Sequence, residues 1–199
     1  MTDQADRHAT RMAKKKAVID ANIAKADKEK GLLLVLTGNG KGKSSSAFGM
    51  VARALGHGMK VGVAQFIKGR SDTGEEAFFS KQPGVEWHVL GEGFTWDTQN
   101  LERDMATAKQ GWAIAQKMLA DPGIGLVVLD ELTYLVTYGI LAEAEVIKLL
   151  AMRPPRLHVL ITGRAASAGL IAAADLVTEM REIKHPYKIG IQARKGIEW

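Results

Sequence analysis

The run "LLLVLTGNGKGKSSSAFGMVARALGHG", Leu32 to Gly58, decides the fold. Its apolar opening, up to Thr37 and bounded by Gly31 and Gly38, is the pattern of a strand covered on both faces, as in a parallel sheet. Further on, Ala47, Met50, Val51, Ala54 and Leu55 recur at helical spacing, and Gly56 and Gly58 supply a stop. Between strand and helix stand Gly38, Asn39, Gly40, Lys41, Gly42, Lys43, Ser44 and Ser45. Counted back from Gly42-Lys43-Ser44, the phosphate-loop spacing G-x-x-x-x-G-K-[ST] puts Thr37 where the first glycine belongs. The glycines at 38, 40 and 42 still let successive backbone N–H groups turn inward on an anion, and the helix adds its positive end at the same point. Lys43 is placed to hold phosphate oxygens and Ser44 to offer its hydroxyl to Mg²⁺. Lys41 adds a cation that an ordinary cradle does not require.

Similar apolar runs return at 61–66 ("VGVAQF"), 85–90 ("VEWHVL"), 125–130 ("GLVVLD") and 157–163 ("LHVLITG"), with 175–183 ("DLVTEMREI") as a sixth strand. Between them, Leu101, Met105, Ala108, Trp112, Ala115 and Leu119 step by four and three, and Pro122-Gly123 ends that helix. A second helix covers 142–151 before Arg153-Pro154-Pro155, and "AASAGLIAAA" reads as a short third. Strands alternating with helices predict an α/β fold: a P-loop NTPase-like (RecA-like), doubly wound, mainly parallel sheet with helices on both faces. The one candidate boundary lies near residue 30. Residues 1–30 form a basic, helical N-terminal arm, and residues 31–199 the P-loop α/β domain.

Doubly wound sheets bind ligands at the carboxyl edge of their strands. There "LVVLDE" delivers Asp130 and Glu131, the geometry of a Walker B pair. Asp130 is a candidate magnesium ligand, directly or through water, while Glu131 has three candidate roles: general base, metal ligand or ribose contact. Arg164, leaving the strand in "TGR", Gln65, near the end of "VGVAQF", and Lys68, just after that run, reach the same edge. Arg53, farther along the loop's own helix, is a candidate phosphate contact or a surface charge. In "GEGFTWD" (91–97), Phe94 and Trp96 either line an apolar substrate pocket or cap the sheet. The histidines show no metal-ligand spacing.

Composition narrows the function classes. The chain has 199 residues, 27 basic and 22 acidic, and a net charge of +5, a modest excess that suits an anionic ligand but falls short of a nucleic-acid coat. With no cysteine, it builds no disulfide, thiolate metal site or cysteine nucleophile. No run approaches a membrane span and no secretory signal is present, so the expected location is cytoplasmic, without membrane or nucleic acid as partner. The basic start "RHATRMAKKK" has the look of a transit peptide, but Asp3, Asp6, Asp20, Asp27 and Glu29 favour an exposed polar arm.

Taken together, "KGLLLVLTGNGKGKSSSAFGMVARALGHG", "VAQFIKG", "GFTW", "LVVLDELTYL", "VLITGR", "ADLVTEM" and "KHPYKIGIQARKGIEW" resemble the P-loop type of ATP:corrinoid adenosyltransferase over most of residues 30–199. The loop without its first Walker glycine is similar to that family's loop. The resemblance implies displacement at carbon: a Co(I) corrinoid attacks the 5′ carbon of ATP and the whole triphosphate leaves. It implies ATP as co-substrate with Mg²⁺ or Mn²⁺, a reduced corrinoid as substrate, and charge stabilisation on the leaving group by Lys41 and Lys43. Glu131 becomes a magnesium or ribose ligand, and Phe94 and Trp96 fill the space left by the lower axial ligand of the corrinoid. It further implies an arm that covers the corrinoid site, an external electron donor of the reduced-flavoprotein type, and a homodimer. The rival classes are a conventional P-loop ATPase or kinase, which would release ADP, and a RecA-like nucleic-acid binder, whose affinity would fall steeply with salt.

Overall fold

The computed structural model describes residues 2–67, 73–91 and 101–198. The chain divides into two compact units, Met1–Lys30 and Gly31–Trp199. The first is one long helix, α1 (Thr2–Ala24), exposed from Gln4 onward. Lys16 and Asp20 pair one turn apart at 2.5 Å, an interaction of a few tenths of a kcal/mol, about as much as such exposed pairs contribute. Met12, Ile19 and Ile23, all exposed, recur at steps of seven and four and so form a stripe along the helix.

The second unit is built on six parallel strands in the order β3-β2-β4-β5-β1-β6. They are β1 (Leu33–Thr37), β2 (Val61–Gln65), β3 (Val85–Val89), β4 (Leu126–Asp130), β5 (His158–Thr162) and β6 (Leu176–Glu179). Period-two alternation sends neighbouring residues to opposite faces, and in the inner strands β1, β2, β4 and β5 both faces are covered, whereas the edge strand β6 is exposed. Leu33 and Val35, with Val127, Leu129, Val159 and Ile161, join the core on one side. Leu34 and Leu36, with Leu126, Val128 and Leu160, join the core on the other. This is why the strands read as continuous apolar runs. The expected α/β sheet with helices on both faces is what the chain forms.

Helix α2 (Lys43–Gly56) follows β1 and packs Ala47, Phe48 and Val51 on the second core. Helix α4 (Leu101–Ala120) covers the first with Trp112, Ala115 and Met118. Helix α6 (Glu143–Ala151) ends where Arg153 turns back, its Nη2 donating to Gly31 O at 2.8 Å. Among the described residues there are also three α-helices of six residues: α3 (Gly74–Phe79), α5 (Leu132–Thr137) and α7 (Ala168–Ala173). The first two carry no periodicity long enough to be seen in the sequence, because six residues make less than two turns.

The sixth strand is shorter than 175–183. It stops at Glu179 because the chain leaves the ladder to run against the phosphate-type loop, where Gly40 N donates to Met180 O at 2.7 Å. That approach requires glycine at Gly38. Its φ is +96°, and a Cβ there would lie 2.3 Å from Met180 O. Gly38→Ala is therefore expected to lower stability by about 2–4 kcal/mol, read as a fall in urea midpoint at unchanged slope.

Candidate active site

Because all six strands are parallel, β1, β2, β4 and β5 end at one edge, and the residues that follow them converge. A cavity of about 560 Å³ opens there, lined by the loop from Asn39 to Ser45 and by Glu131 and Arg164. Its size lies within the range of small-ligand sites.

Two buried ionic groups organise the floor. Lys43 is only 7% exposed. Its Nζ donates to Gly38 O and Gly40 O, both at 2.8 Å, so the loop's own carbonyls hold the ammonium inside the curl. Burial pushes the Lys43 ammonium below the ordinary lysine value, with the charge of Glu131 opposing that shift and Arg164 adding to it. Phosphate binding needs this ammonium charged. Affinity for inorganic triphosphate is thus expected to begin falling at a pH below that of an ordinary lysine, as the free protein loses the proton early. Lys43→Arg, which does not titrate in that range, should lack this limb. For stability the sign is opposite: the unfolded chain keeps the proton to higher pH, so this group's contribution grows as pH rises from the lowered value to the ordinary one.

Asp130, fully buried at the end of β4, has the second buried charge and meets the cost of burial with hydrogen bonds. Its Oδ1 accepts from Ser44 Oγ at 2.8 Å and from Thr162 Oγ1 at 2.7 Å, and its Oδ2 accepts from Gln65 Nε2 at 3.0 Å. Gln65 and Asp130 are register partners across β2 and β4, which is why the two side chains meet. Gln65 Oε1 is buried and has no hydrogen-bond partner among the described residues.

Glu131 stands in a left-handed conformation, φ 63° and ψ 22°, where α5 begins. A non-glycine residue there stores strain, of order 1–2 kcal/mol. The turn is held by Glu131 N, which donates to Thr162 Oγ1 at 2.9 Å. Thr162 thereby ties both acidic residues to β5. Thr133 Oγ1 donates to Arg164 O at 2.8 Å, and Gly163, at φ +143°, has no room for a Cβ, which would sit 1.9 Å from that hydroxyl. These contacts present Arg164, itself exposed, at the rim.

The structure thus brings together Gly38 through Ser45, Gln65, Asp130, Glu131 and Arg164. Arg53 lies elsewhere: it is exposed in the last turn of α2, ten residues or about 15 Å along the helix from Lys43, where a cation complements the helix dipole. Lys68, Phe94 and Trp96 lie outside the described residues.

Several cavity residues were not among the site candidates read from the sequence. Phe78 comes from α3, its ring edge-on to Phe79 at 5.1 Å, and Phe79 lies flat against Trp87 at 6.2 Å. His185, Ile197 and Glu198 come from the C-terminal segment. No motif links residue 198 to residue 41, so only the fold reveals them as neighbours.

Residues 29–199 match the model of the family described as ATP:corrinoid adenosyltransferase BtuR/CobO/CobP. Residues 1–23 match a second one, described as the cob(I)alamin adenosyltransferase N terminal. The corrinoid adenosyltransferase of Pseudomonas aeruginosa is 58% identical, over 99% of this chain and 98% of that protein. That of Escherichia coli K12 is 45% identical, over 98% of each chain. The corrinoid adenosyltransferase CobA of Salmonella typhimurium is 46% identical, again over 98% of each.

Proposed function

The chain belongs to the ATP:corrinoid adenosyltransferase family, and from that premise we propose that it transfers the 5′-deoxyadenosyl group of ATP to the Co(I) of a reduced corrinoid. The observation that carries this reading is family membership along the whole chain, joined to a cavity whose loop buries a lysine inside a curl of backbone. In the step itself the cobalt electron pair forms the bond to C5′, the C5′–O5′ bond breaks, and its electrons leave on the triphosphate. Cobalt goes from Co(I) to Co(III). No proton moves, so the protein needs no general base.

The protein's contribution is to stabilise charge where it grows, on the departing polyphosphate. Lys43 and the backbone N–H groups from Gly38 to Ser45 serve this end, with Lys41 and Arg164 at the rim. The hydroxyl of Ser44 and the carboxylate of Asp130, 2.8 Å apart, are hard oxygen donors that fit a cation of the Mg²⁺ class. Ser44, Asp130 and Glu131 would hold it, and when bound it would supply neutralisation of the phosphates. Glu131 serves as metal or ribose ligand. Gln65 positions Asp130, and Lys68 is assigned to the substrates' charged groups.

Phe94 and Trp96 would fill the lower face of the corrinoid and exclude water from the reduced metal. The arm, residues 1–30, would cover the corrinoid. Electrons would come from a separate donor of the reduced-flavoprotein type, as the family resemblance implies; the chain has no cysteine from which to build a thiol redox centre. A homodimer is the assembly that the family resemblance implies, and the cytoplasm is the location assigned to it; among the described residues no helix is long and apolar enough to cross a membrane.

Product analysis tests the reading. Anaerobic incubation with ATP, Mg²⁺ and chemically reduced cobalamin should yield triphosphate in equal amount to a light-sensitive cobalt–carbon product. ADP, with no such product, would instead mark a conventional ATPase or kinase.

A further inference from the structure

Lys41 is the cation that the loop spacing does not call for, and the fold gives it a partner from the far end of the chain. Its Nζ donates to Oε2 of Glu198. The carboxylate is not a loose end, because Glu198 N and Ile197 N both donate to Arg194 O, at 2.8 and 3.2 Å, closing a turn that carries the side chain. Glu198 lines the same cavity as Lys43 and Arg164.

A carboxylate there stands where a polyphosphate's own charge has to go. Lys41, Lys43 and Arg164 on the cavity wall are matched by Glu75, Glu131 and Glu198. An incoming triphosphate therefore meets Glu198 twice, as a competitor for Lys41 and as a like charge. The Lys41 side chain is 46% exposed and that of Glu198 18%, so water competes for the ammonium and weakens the pair. A triphosphate brings several negative charges against the carboxylate's one and meets Lys43 and Arg164 as well as Lys41, so the pair yields to the ligand.

Resting on the reading of the cavity as a triphosphate cradle, we propose that Glu198 is a resident competitor for the polyphosphate. It occupies Lys41 in the empty cradle, gives way when the nucleotide enters, and returns as triphosphate leaves. It thus sets the affinity for the leaving group, and acts on the reaction through Lys41 rather than on the reacting atoms.

The test is titration calorimetry of the full chain with inorganic triphosphate and Mg²⁺, comparing wild type, Glu198→Gln and Glu198→Asp. Glu198→Gln should bind roughly three- to tenfold more tightly, with the gain shrinking as salt is added. Product inhibition by triphosphate should strengthen in parallel. Glu198→Asp, which keeps the charge, should stay within about twofold of wild type. Unchanged or weaker binding by Glu198→Gln overturns the competitor, and weaker binding would instead mark Glu198 as a tail anchor. Absence of triphosphate binding in the wild type overturns the cradle itself, and the competitor with it.

Discussion

Lys43→Ala is expected to lower the rate of adenosyl transfer on the order of 100- to 1000-fold, the effect of removing one preorganised charge-stabilising donor. The ammonium is buried and held in place by two loop carbonyls. No reorganisation is needed when the triphosphate separates, which gives such a group its leverage. Because charge on the leaving group exceeds that in bound ATP, kcat should fall more than affinity for ATP weakens. Single-turnover formation of the cobalt–carbon product, with ATP affinity measured alongside, checks this. A variant that bound ATP poorly yet turned over normally at saturation would assign Lys43 to ground-state binding alone. Thermal melting of the variant separates loss of the charge from any loss of fold, since the substitution also frees the carbonyls of Gly38 and Gly40.

Asp130 allows charge and structure to be separated. Asp130→Ala strands Ser44, Thr162 and Gln65, which now donate to the carboxylate, and is expected to cost about 2–4 kcal/mol. In a domain of this size that is a melting shift of roughly 5–15 °C. Asp130→Asn should lose far less stability. Its Oδ1 still accepts from Ser44 and Thr162, and Gln65 has a buried Oε1 without a partner among the described residues, so a flip of that amide lets it accept from the new side chain. Activity should still fall in Asp130→Asn by about 100-fold, since the neutral amide no longer supports a cation on the phosphates. Calorimetric melting and product formation on the two variants give the comparison. A large melting shift in the asparagine variant would mean that the carboxylate's charge, not its hydrogen bonds, holds the floor together.

Much of this site could be read along the chain because its parts are covalent neighbours. The apolar run before Gly38, the glycines and Lys43 form a strand, loop and helix in sequence order, and Asp130-Glu131 closes an apolar strand in the same way. Gln65 and Arg164 were legible as edge residues from strand ends, though not as partners of named groups. The limits of the sixth strand were not legible, since it ends where the chain meets the phosphate-type loop rather than where apolar residues stop. Nor was the left-handed backbone of Glu131, which depends on the Thr162 hydroxyl 31 residues away.

By itself, the order of residues determined that there is a cradle, that an acidic pair stands at a strand end, and that the sheet is parallel and covered on both faces. These follow from periodicity and from chemistry carried by adjacent residues. Tertiary structure alone decided that β5 lies between β1 and β4, so that Thr162 reaches both Asp130 and Glu131, and that a carboxylate from residue 198 answers the extra lysine at 41. Such meetings are selected by how whole elements bury their faces, and no local pattern encodes which distant hydroxyl or carboxylate that burial will bring within reach.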